Sequence, residues 1–439
     1  GKSERGGYPV IKKNMKQWVI DQPAFAEELL DGLNEIDWPE STKEIQRNWI
    51  GKSEGVEVDF KIKDGGQFSI YTTCIETIYG ITFMVLAPDG QITKDLMPRV
   101  ENKDEVQAYI NETAQKNDID RTDTSKGKTG CELKGVFAIN PVNGKEVPLY
   151  IGDFVLANYG TGAVMAVPSH DQRDFEYAVA HKLQMIQVIE GADVSEKAFE
   201  KQDYLGKGCK LLNSEEFTGL TVEEAKTAIT EKLVGMGVAR KKTNYHFREW
   251  IFARQRYWGE PVPIVHLEDG TNHVLDDDEL PLILPELDDY KGKNGQAPLE
   301  NATEWKKYDH NGLKGTRETS TMPGSAGSSW YYFRYIDPEN DKEFADQKLL
   351  EHWMPVDLYI GGPEHAVGHL MYSRIWNRFL YDKGLSPVKE PFKKLVHQGM
   401  ILGSNGIKMG KRFPKYVVNP SDIVEKYGAD TLRLYEMFM

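Results

Sequence analysis

The pattern of hydrophobic and polar positions indicates many short strands between residues 52 and 237. Runs of strand-forming residues are separated by glycines or by the turn-forming pair Asn143-Gly144. The predicted strands cover residues 56–62, 67–73, 82–87, 135–139, 146–157 and 185–190. Helices are predicted over 104–117, 174–182 and 221–234, the last with the capping box Thr221-x-x-Glu224. This segment is therefore predicted to form one β-rich α/β module.

A different order of elements flanks this module. Residues 24–34 are predicted to form a helix within the segment 1–51. Beyond residue 238, a predicted strand (356–360) leads into a helix (364–383) and then into a second strand (394–398), an order typical of a parallel sheet with crossover helices. The sequence thus predicts an α/β core in residues 1–51 and 238–420, interrupted by a module at 52–237. Residues 421–439 are predicted to begin a further helical region.

Composition and charge narrow the class of protein. The chain has 439 residues, of which 40% are hydrophobic and 28% charged, a balance typical of globular domains rather than collagen or coiled coil. The net charge of −14 means that any nucleic-acid site must be a local basic surface. Six lysines and arginines fall between residues 240 and 256, opposed only by Glu249. This segment is the most basic surface that the sequence predicts.

The cysteines and the hydropathy point to a cytoplasmic protein. Cys74, Cys131 and Cys209 lie far apart and form no C-x-x-C pair, so neither a disulfide framework nor a cysteine zinc site is predicted. A reducing compartment, the cytoplasm, is the simplest location. No apolar run reaches the roughly 18 residues that a membrane-spanning helix needs.

Two glycine motifs resemble phosphate loops but fail the full pattern. Gly51-Lys52-Ser53 lacks the upstream glycine of a P-loop, since Gln46 occupies that position. The segment 159–163 contains Gly160 and Gly162, but the third glycine of a dinucleotide fingerprint is replaced by Met165. These glycines indicate instead a backbone that a ligand can approach closely.

Residues 72–77 and 170–174 contain hydroxyl and carboxylate side chains that could bind a ligand. Thr72, Thr73 and Thr77 follow a predicted strand and offer hydroxyls to a carbonyl, a ribose or a water, although threonine is also simply common in strands. Asp171 and Asp174 stand at a loop-to-helix junction, where a carboxylate can anchor an ammonium group or merely cap the helix. For both segments, residue spacing alone does not decide between a ligand-binding role and a purely structural one.

The segment 361–369 and a basic loop at 408–412 provide the candidates for nucleotide binding. Gly361 and Gly362 follow a predicted strand, and Glu364 begins the next helix, which is where α/β sheets bind nucleotides. His365 and His369 are four residues apart and are predicted to share one helix face, which is zinc-ligand spacing, but no glutamate lies between them as H-E-x-x-H requires. No protein-bound metal is therefore expected.

Taken together, six strings in this order resemble leucyl-tRNA synthetase of the bacterial type, over essentially the whole chain. The strings are QRNWIGKSEG (46–55), NYGTGAVMAVP (158–168), HDQRD (170–174), RQRYWG (254–259), SSWYY (328–332) and GGPEHA (361–366). The resemblance implies a Rossmann-like parallel-sheet catalytic core interrupted by an inserted β-rich α/β editing domain. It also implies ATP-dependent leucylation of tRNA-Leu through leucyl-adenylate, with Mg²⁺ entering as part of the ATP complex.

The resemblance assigns residues of the core to the synthetic reaction. Lys408 and Lys411 are the two lysines of the family's K-M-S-K-S loop and are expected at the ATP phosphates. The adenylate would be bound by Gly361, Gly362, Glu364 and His365. His369 is implied on the leucine side and in catalysis, and Ser328 and Tyr331 are implied to line the leucine pocket.

The same resemblance assigns residues of the inserted module to hydrolysis of mischarged tRNA. Asp174 would hold the free ammonium of the wrong amino acid, and Thr77 would exclude leucine. Thr72 and Thr73 would lie near the scissile ester, with Asp171 in the same set. Tyr159 and Met165 would line the pocket, and Arg173 would contact the tRNA end. Such hydrolysis is needed because a hydrophobic pocket discriminates between aliphatic side chains that differ by one methylene by only about 10- to 200-fold.

The sequence departs from the family at three places. The H-I-G-H motif and the C-terminal tRNA-binding domains are absent, so the chain is expected to be an internal piece that is competent at most for editing. The editing string T-T-R-P-D-T contains Cys74, Ile75 and Glu76 in place of Arg, Pro and Asp. The K-M-S-K-S loop contains Gly410 and Arg412 in place of both serines.

The sequence also predicts the partners of the protein, and two rival functions remain alongside the synthetase. The expected partners are tRNA-Leu, leucine and ATP, with no membrane, and the protein is expected to be a monomer. One rival is a degenerate synthetase-like module that binds tRNA or an aminoacyl group without catalysis, as the changes at 74–76 and 410 would allow. The other rival is a zinc hydrolase built on His365 and His369.

Overall fold

A computed structural model gives the structure of the protein and describes residues 8, 15–116, 121, 127–157, 160–292, 296–410 and 413–438. These residues divide into two compact units. One unit comprises residues 53–244, and the other comprises residues 15–52 together with 245–438.

The strands of the described residues range from two to ten residues in length. They are β1 (Val19–Ile20), β2 (Ser53–Ile62), β3 (Gln67–Thr72), β4 (Phe83–Leu86), β5 (Gly130–Ile139), β6 (Glu146–Gly152), β7 (Ala163–Ala166), β8 (Ala239–Asn244), β9 (Trp250–Ile251), β10 (Ile264–Leu267), β11 (Asn272–Val274), β12 (Lys307–His310), β13 (Leu313–Arg317), β14 (Val356–Ile360) and β15 (Phe392–Val396).

The helices range from a single turn to fourteen residues. They are α1 (Ala26–Gly32), α2 (Glu40–Ile50), α3 (Gln91–Leu96), α4 (Lys103–Thr113), α5 (Gln172–His181), α6 (Lys201–Tyr204), α7 (Val222–Gly235), α8 (Thr303–Lys306), α9 (Ser325–Ser328), α10 (Tyr331–Ile336), α11 (Gln347–Trp353), α12 (His369–Asp382), α13 (Pro420–Tyr427) and α14 (Ala429–Met437). Short 3-10 turns cover Gln22–Phe25, Ile75–Gly80, Met97–Arg99, Glu215–Phe217, Asp277–Glu279, Pro298–Asn301, Pro363–His365 and Pro414–Tyr416.

A mixed sheet forms the centre of the unit at 53–244. Its strand order is β3-β2-β5-β6-β4-β7, and β8 also pairs with β2. The β4–β6 pair is parallel and the other pairs are antiparallel. Helix α7 covers this sheet and buries Val222, Ile229 and Leu233 in the same core as the strands. The Thr221 hydroxyl accepts the Glu224 N–H while the Glu224 carboxylate accepts the Thr221 N–H, so the predicted capping box is confirmed.

The second unit is built around a parallel strand pair. Strands β14 and β15 run parallel, and helix α12 connects them. Phe392 and Leu395 of β15 are buried with Leu370 of α12 in one core. A separate antiparallel sheet has the order β11-β10-β13-β12, and β1 pairs with β9. The α/β class, with parallel pairing in a core that a β-rich module interrupts, is confirmed.

Three predicted elements differ from the structure. Residues 185–190 form only an isolated antiparallel bridge, between Ile189 and Leu211, and the Val188 N–H donates to the ring Nε2 of His170 at 3.0 Å. The helix predicted over 364–383 begins only at His369, since Gly368 has non-helical dihedral angles and a 3-10 turn precedes it. The terminal helix is divided in two by Gly428, whose φ of +91° favours glycine.

A buried charge network holds the second unit together. Arg374 on α12 is fully buried, and its guanidinium donates to both carboxylate oxygens of Glu390 at 2.7 and 2.8 Å. It also donates to the Gln46 side chain at 2.8 Å and to the Leu29 carbonyl at 2.6 Å. Arg378 donates to the same carboxylate at 2.9 Å. The network ties α1 and α2 to α12 although they lie more than 300 residues apart.

Removal of Glu390 is therefore expected to destabilise this unit strongly. The Glu390→Ala variant leaves two buried guanidinium groups without their carboxylate, which costs about 3–5 kcal/mol. Urea unfolding should report that loss, whereas Glu425→Ala on exposed α13 should change the free energy of unfolding by less than about 0.5 kcal/mol. A loss below 1 kcal/mol for Glu390→Ala would contradict the network's role.

Candidate functional site

The unit at 53–244 contains a cavity of about 590 Å³ at one end of its sheet. Most of its lining comes from the end of β3 with the following turn, from strand β7 and from the start of α5, and residues near 128, 154–156 and 204 complete it. The lining residues include Thr72, Thr73, Cys74, Thr77, Lys128, Phe154, Met165, His170, Asp171, Arg173, Asp174 and Tyr204. The structure therefore brings together the two segments near residues 72–77 and 170–174 that the sequence singled out separately.

Asp171 caps helix α5. Its carboxylate accepts the backbone N–H groups of Arg173 at 2.9 Å and of Asp174 at 3.1 Å. The Arg173 side chain is 62% exposed, and its guanidinium lies 3.4 Å from the Asp171 carboxylate. The helix-capping interpretation is thus correct for Asp171, which leaves Asp174 as the carboxylate with capacity for a ligand.

Asp174 is nearly buried against the cavity. Only 8% of the residue is exposed, and its Oδ2 accepts the Val167 N–H at 2.9 Å. Its Oδ1 lies 4.0 Å from the ammonium of Lys128. Burial, reinforced by the negative charge of Asp171, raises the pKa of Asp174 to about 7. Among the described residues, no group donates a hydrogen bond to Oδ1, and a poorly solvated carboxylate oxygen of this kind is well suited to bind a cation.

The three threonines have different local roles. The Thr72 hydroxyl accepts the Cys74 N–H at 3.0 Å, and the Thr77 hydroxyl donates to the Cys74 carbonyl at 2.8 Å. These bonds fix the turn after β3, and Thr77 is only 1% exposed at the cavity wall. Thr73 receives a hydrogen bond of 3.5 Å from the Lys201 ammonium. Thr72 and Thr77 therefore stabilise the turn, and all three threonines line the cavity.

The substituted residues of this turn make new contacts. Glu76 is fully buried and accepts the Tyr204 hydroxyl at 3.1 Å, while its other carboxylate oxygen has no hydrogen-bond partner among the residues that the structure describes. Burial raises the pKa of Glu76, so its protonated form is favoured relative to a carboxyl in water. Cys74 lines the cavity, and burial raises the pKa of its thiol. An arginine at this position would carry a charge that the thiol lacks at neutral pH.

His170 is a structural residue rather than a base. Its Nδ1 lies 3.0 Å from the Phe199 carbonyl, and its Nε2 accepts the Val188 N–H at 3.0 Å. Burial lowers the pKa of the imidazole to about 4, so the ring is neutral at pH 7. Both nitrogens are occupied in holding neighbouring loops, which leaves none to activate a water.

In the second unit, Glu364 and Lys408 meet beside a cavity of about 360 Å³. The Lys408 ammonium donates to Glu364 Oε1 at 3.0 Å. The backbone N–H of Glu364 itself and the Lys408 ammonium lower the pKa of this carboxyl. Gly362 and His365 line the same cavity, and Gly361 follows β14 directly. These five residues, predicted from separate motifs, therefore lie together.

His369 belongs to an aromatic cluster. Its Nε2 lies 2.6 Å from the Tyr359 hydroxyl, and that hydroxyl lies 2.9 Å from the Tyr331 hydroxyl. Tyr359 was not identified from the sequence, because a tyrosine inside a strand reads as ordinary strand composition. Ser328 is exposed, and its hydroxyl donates to the Ser325 carbonyl at 3.3 Å within its own helical turn.

Comparison with known proteins follows this division into two units. Residues 47–234 match the family described as leucyl-tRNA synthetase, editing domain. Residues 238–438 match the family described as tRNA synthetases class I (I, L, M and V). A solved structure, the ternary complex of Agrobacterium radiobacter K84 agnB2 LeuRS with tRNA and LeuAMS, matches 100% of this chain with 32% identity and a TM-score of 0.81.

Together these matches support a leucyl-tRNA synthetase fragment. It spans about half of the Agrobacterium LeuRS chain, 51% of its length. The editing-domain match contains the whole 590 Å³ cavity, and the class I match contains Glu364, His369 and Lys408. The family prediction made from the six strings is thus confirmed.

Two residues assigned by the family resemblance cannot be placed. Tyr159 and Lys411 lie outside the described residues. Met165 is placed: it lines the cavity from β7. Lys128, Phe154 and Tyr204 also line the cavity, and sequence reasoning missed them. Lys128 is one of several lysines in a polar stretch and carries no motif, so the sequence offers no signal that would find it.

Among the described residues, the histidine and carboxylate groups close enough to share a metal ion do not include His365 or His369. His365 and His369 do not share a helix face, and their rings are 6.1 Å apart; both ring nitrogens of His369 face hydroxyls, of Tyr359 and Ser373. Across the described ranges, the groups with compatible spacing are His273, Asp276, Glu279 and Asp276, Asp278, His310. Asp276 and Glu279 cap a 3-10 turn there, and Glu279 accepts the Tyr308 hydroxyl.

Within the part of the chain that the structure describes, every helix is too short or too polar to span a bilayer.

Proposed function

We propose that the cavity of the 53–244 unit hydrolyses the ester bond of tRNA-Leu charged with a wrong amino acid. The observation that carries this proposal is the position of Asp174, a buried carboxylate facing a cavity that the three threonines also line. An aminoacyl ester has a free ammonium and no carboxylate, so a buried anion is the group that recognises it. The boundaries proposed for this editing domain are residues 52–237.

The proposed mechanism depends on positioning. Asp174 binds the ammonium, and Thr77 limits the space for the side chain. Thr72 and Thr73 lie on the ester side, Met165 and Tyr159 line the pocket, and Arg173 faces the tRNA end. A water, assisted by the neighbouring ribose hydroxyl, attacks the carbonyl carbon, since His170 is neutral and occupied. Release of norvaline or isoleucine from mischarged tRNA-Leu tests the proposal.

The pH dependence of this hydrolysis follows from Asp174. Ammonium binding requires the ionised carboxylate, and the pKa of Asp174 is raised to about 7. We therefore expect kcat/KM for norvalyl-tRNA to rise about ninefold from pH 5 to pH 6, a range in which the substrate ammonium stays protonated, because kcat/KM reports ionisation of the free enzyme. Asp174→Asn, with no carboxyl at this position, corrects for spontaneous ester hydrolysis at each pH. A profile that is flat after this correction would contradict the assignment.

We further propose that the second unit contributes to leucine–tRNA ligation, with ATP and Mg²⁺ as the substrate complex and leucine and tRNA-Leu as the other substrates. The Glu364–Lys408 pair at its cavity supports this proposal. Gly361, Gly362, Glu364 and His365 would bind the adenylate, and Lys408 with Lys411 would neutralise the phosphates. Ser328, Tyr331 and His369 would lie on the leucine side. Residues 1–51 and 238–420 are proposed as this core, and 421–439 as the start of a helical region.

ATP binding tests this second proposal. Loss of a charge-assisted contact to phosphate costs about 1.5–3 kcal/mol, so Lys408→Ala is expected to raise the Kd for ATP at least tenfold. Equilibrium dialysis with radiolabelled ATP measures the change, with Lys415→Ala as the control because Lys415 lies outside the cavity residues. Equal Kd values for the two variants would contradict the role of Lys408.

A binding module without catalysis is the alternative outcome. It predicts that the chain holds mischarged tRNA but releases amino acid no faster than buffer does. A zinc hydrolase would need His369 nitrogens that already face the hydroxyls of Tyr359 and Ser373.

A further inference from the structure

Lys128 places a nearly buried positive charge inside the 590 Å³ cavity. Its side chain is only 15% exposed, and its ammonium lies 3.9 Å from the centre of the Phe154 ring. The Asp174 Oδ1 is 4.0 Å away, beyond hydrogen-bonding distance. Among the residues that the structure describes, no acceptor makes a hydrogen bond with this ammonium. Its N–H groups therefore remain available to a ligand in the cavity.

The surrounding charges decide what kind of ligand fits. Arg173 pairs with Asp171, so these two charges largely compensate each other. Asp174 and Lys128 remain as one anion and one cation facing the same space. When the ammonium of an aminoacyl ester binds Asp174, the site holds two cations against one carboxylate. A second negative charge on the ligand would restore the balance.

Ester hydrolysis creates that negative charge. Water adds to the carbonyl carbon, the C=O electron pair moves to oxygen, and an oxyanion forms. When the intermediate collapses, the bond to the ribose oxygen breaks, and that oxygen takes one proton of the water. The amino acid leaves as a carboxylate and the remaining proton passes to solvent. The carbonyl oxygen is thus negative in the intermediate, and the product carboxylate shares the charge.

We propose that Lys128 is a catalytic residue of the editing reaction, whose ammonium stabilises the oxyanion and then binds the product carboxylate. The proposal rests on the proposed editing function. The ester carbonyl carbon is two bonds from the ammonium nitrogen that Asp174 would hold, so a cation 4.0 Å from Asp174 is within reach of the carbonyl oxygen. Charge balance is complete only after the oxyanion forms, so Lys128 favours the transition state over the bound substrate.

Steady-state deacylation of norvalyl-tRNA by the Lys128→Met and Lys128→Arg variants tests the proposal. Loss of one oxyanion partner lowers kcat about 100- to 1000-fold. We expect this fall for Lys128→Met with KM changed less than threefold, and a kcat at least tenfold higher for Lys128→Arg. The matched control is Lys232→Met in the same unit, since Lys232 also contacts a ring (Phe217, 5.3 Å) and an acid (Glu216) but does not line the cavity.

Binding of the product gives a second measurement that a purely structural role would not change. Norvaline is a zwitterion, whereas norvalinamide has the ammonium but no carboxylate. The protein should bind norvaline at least tenfold more tightly than norvalinamide, and Lys128→Met should lose that preference while keeping its unfolding midpoint near that of Lys232→Met.

The outcomes separate the two proposals. If the unaltered protein releases no norvaline, the editing function fails and this inference fails with it. If the unaltered protein is active and Lys128→Met retains kcat, or retains the preference for norvaline, only the role of Lys128 is overturned.

Discussion

Replacement of Asp174 by asparagine should lower the rate of norvaline release from mischarged tRNA-Leu by about 100-fold or more. The asparagine side chain keeps the size of the carboxylate and can still accept the Val167 N–H, so the start of α5 should be preserved. What is lost is the charge that binds the substrate ammonium. Truncation of one partner of a buried, hydrogen-bonded charge pair costs about 2–5 kcal/mol, and each 1.4 kcal/mol corresponds to a factor of ten.

The matched control for this prediction is Asp171→Asn. Asp171 also lines the cavity, but its carboxylate is occupied in capping α5. This variant should lose stability of about 0.5–2 kcal/mol at most and should keep release within about tenfold of the unaltered protein. Single-turnover deacylation measures both variants. Equal losses for the two would contradict the assignment of the ammonium to Asp174 in particular.

Changes at Thr77 should alter which amino acid is released. Thr77 is buried at the cavity wall, with its hydroxyl fixed on the Cys74 carbonyl. We expect Thr77→Ala to admit leucine and to raise hydrolysis of correctly charged leucyl-tRNA about 10- to 200-fold, the range that one methylene in a pocket provides. Hydrolysis of norvalyl-tRNA should change by less than about threefold, since that side chain already fits.

Two further substitutions separate the methyl group from the hydroxyl. Thr77→Ser keeps the hydrogen bond to Cys74 and removes only the methyl group, so leucine should enter as it does in Thr77→Ala. Thr77→Val keeps the volume but loses the hydrogen bond, so leucine should stay excluded. If Thr77→Val hydrolyses leucyl-tRNA and Thr77→Ser does not, the hydroxyl and not the methyl group controls selection.

Elements whose signals are local were predictable from the sequence. The capping box at Thr221 and Glu224 was correctly predicted because both groups lie within one helical turn. The hairpin turn at Asn143-Gly144 was predicted for the same reason, and it connects the antiparallel strands β5 and β6. The long ordered strings likewise identified the family.

Elements that depend on distant partners were not predictable. Residues 185–190 have a strand pattern, but the hydrogen bond of Val188 goes to His170, which is eighteen residues away. The helix after β14 was predicted to begin at residue 364, because nothing in the sequence marks Gly368 as non-helical. The role of Asp171, and not Asp174, as the cap needed the geometry of the α5 N-terminus.

The cavity residues likewise fall into two groups, those that local sequence patterns predict and those that depend on tertiary packing. The threonines, Met165 and Asp174 were found because they belong to recognisable strings. Lys128 was missed, since it comes from a segment between α4 and β5 that has no motif and reaches the cavity only through tertiary packing. Local sequence patterns do not show that a charged residue from a remote segment of the chain completes a site.

The central claim is that the 53–244 unit contains a working hydrolytic site despite Cys74, Ile75 and Glu76. The most direct measurement incubates the protein with norvalyl-tRNA-Leu and, in parallel, with leucyl-tRNA-Leu, and follows release of each amino acid against a buffer blank. We predict that norvaline is released and leucine is retained. Release of neither above the blank, with tRNA binding intact, would contradict the claim and establish a binding module instead.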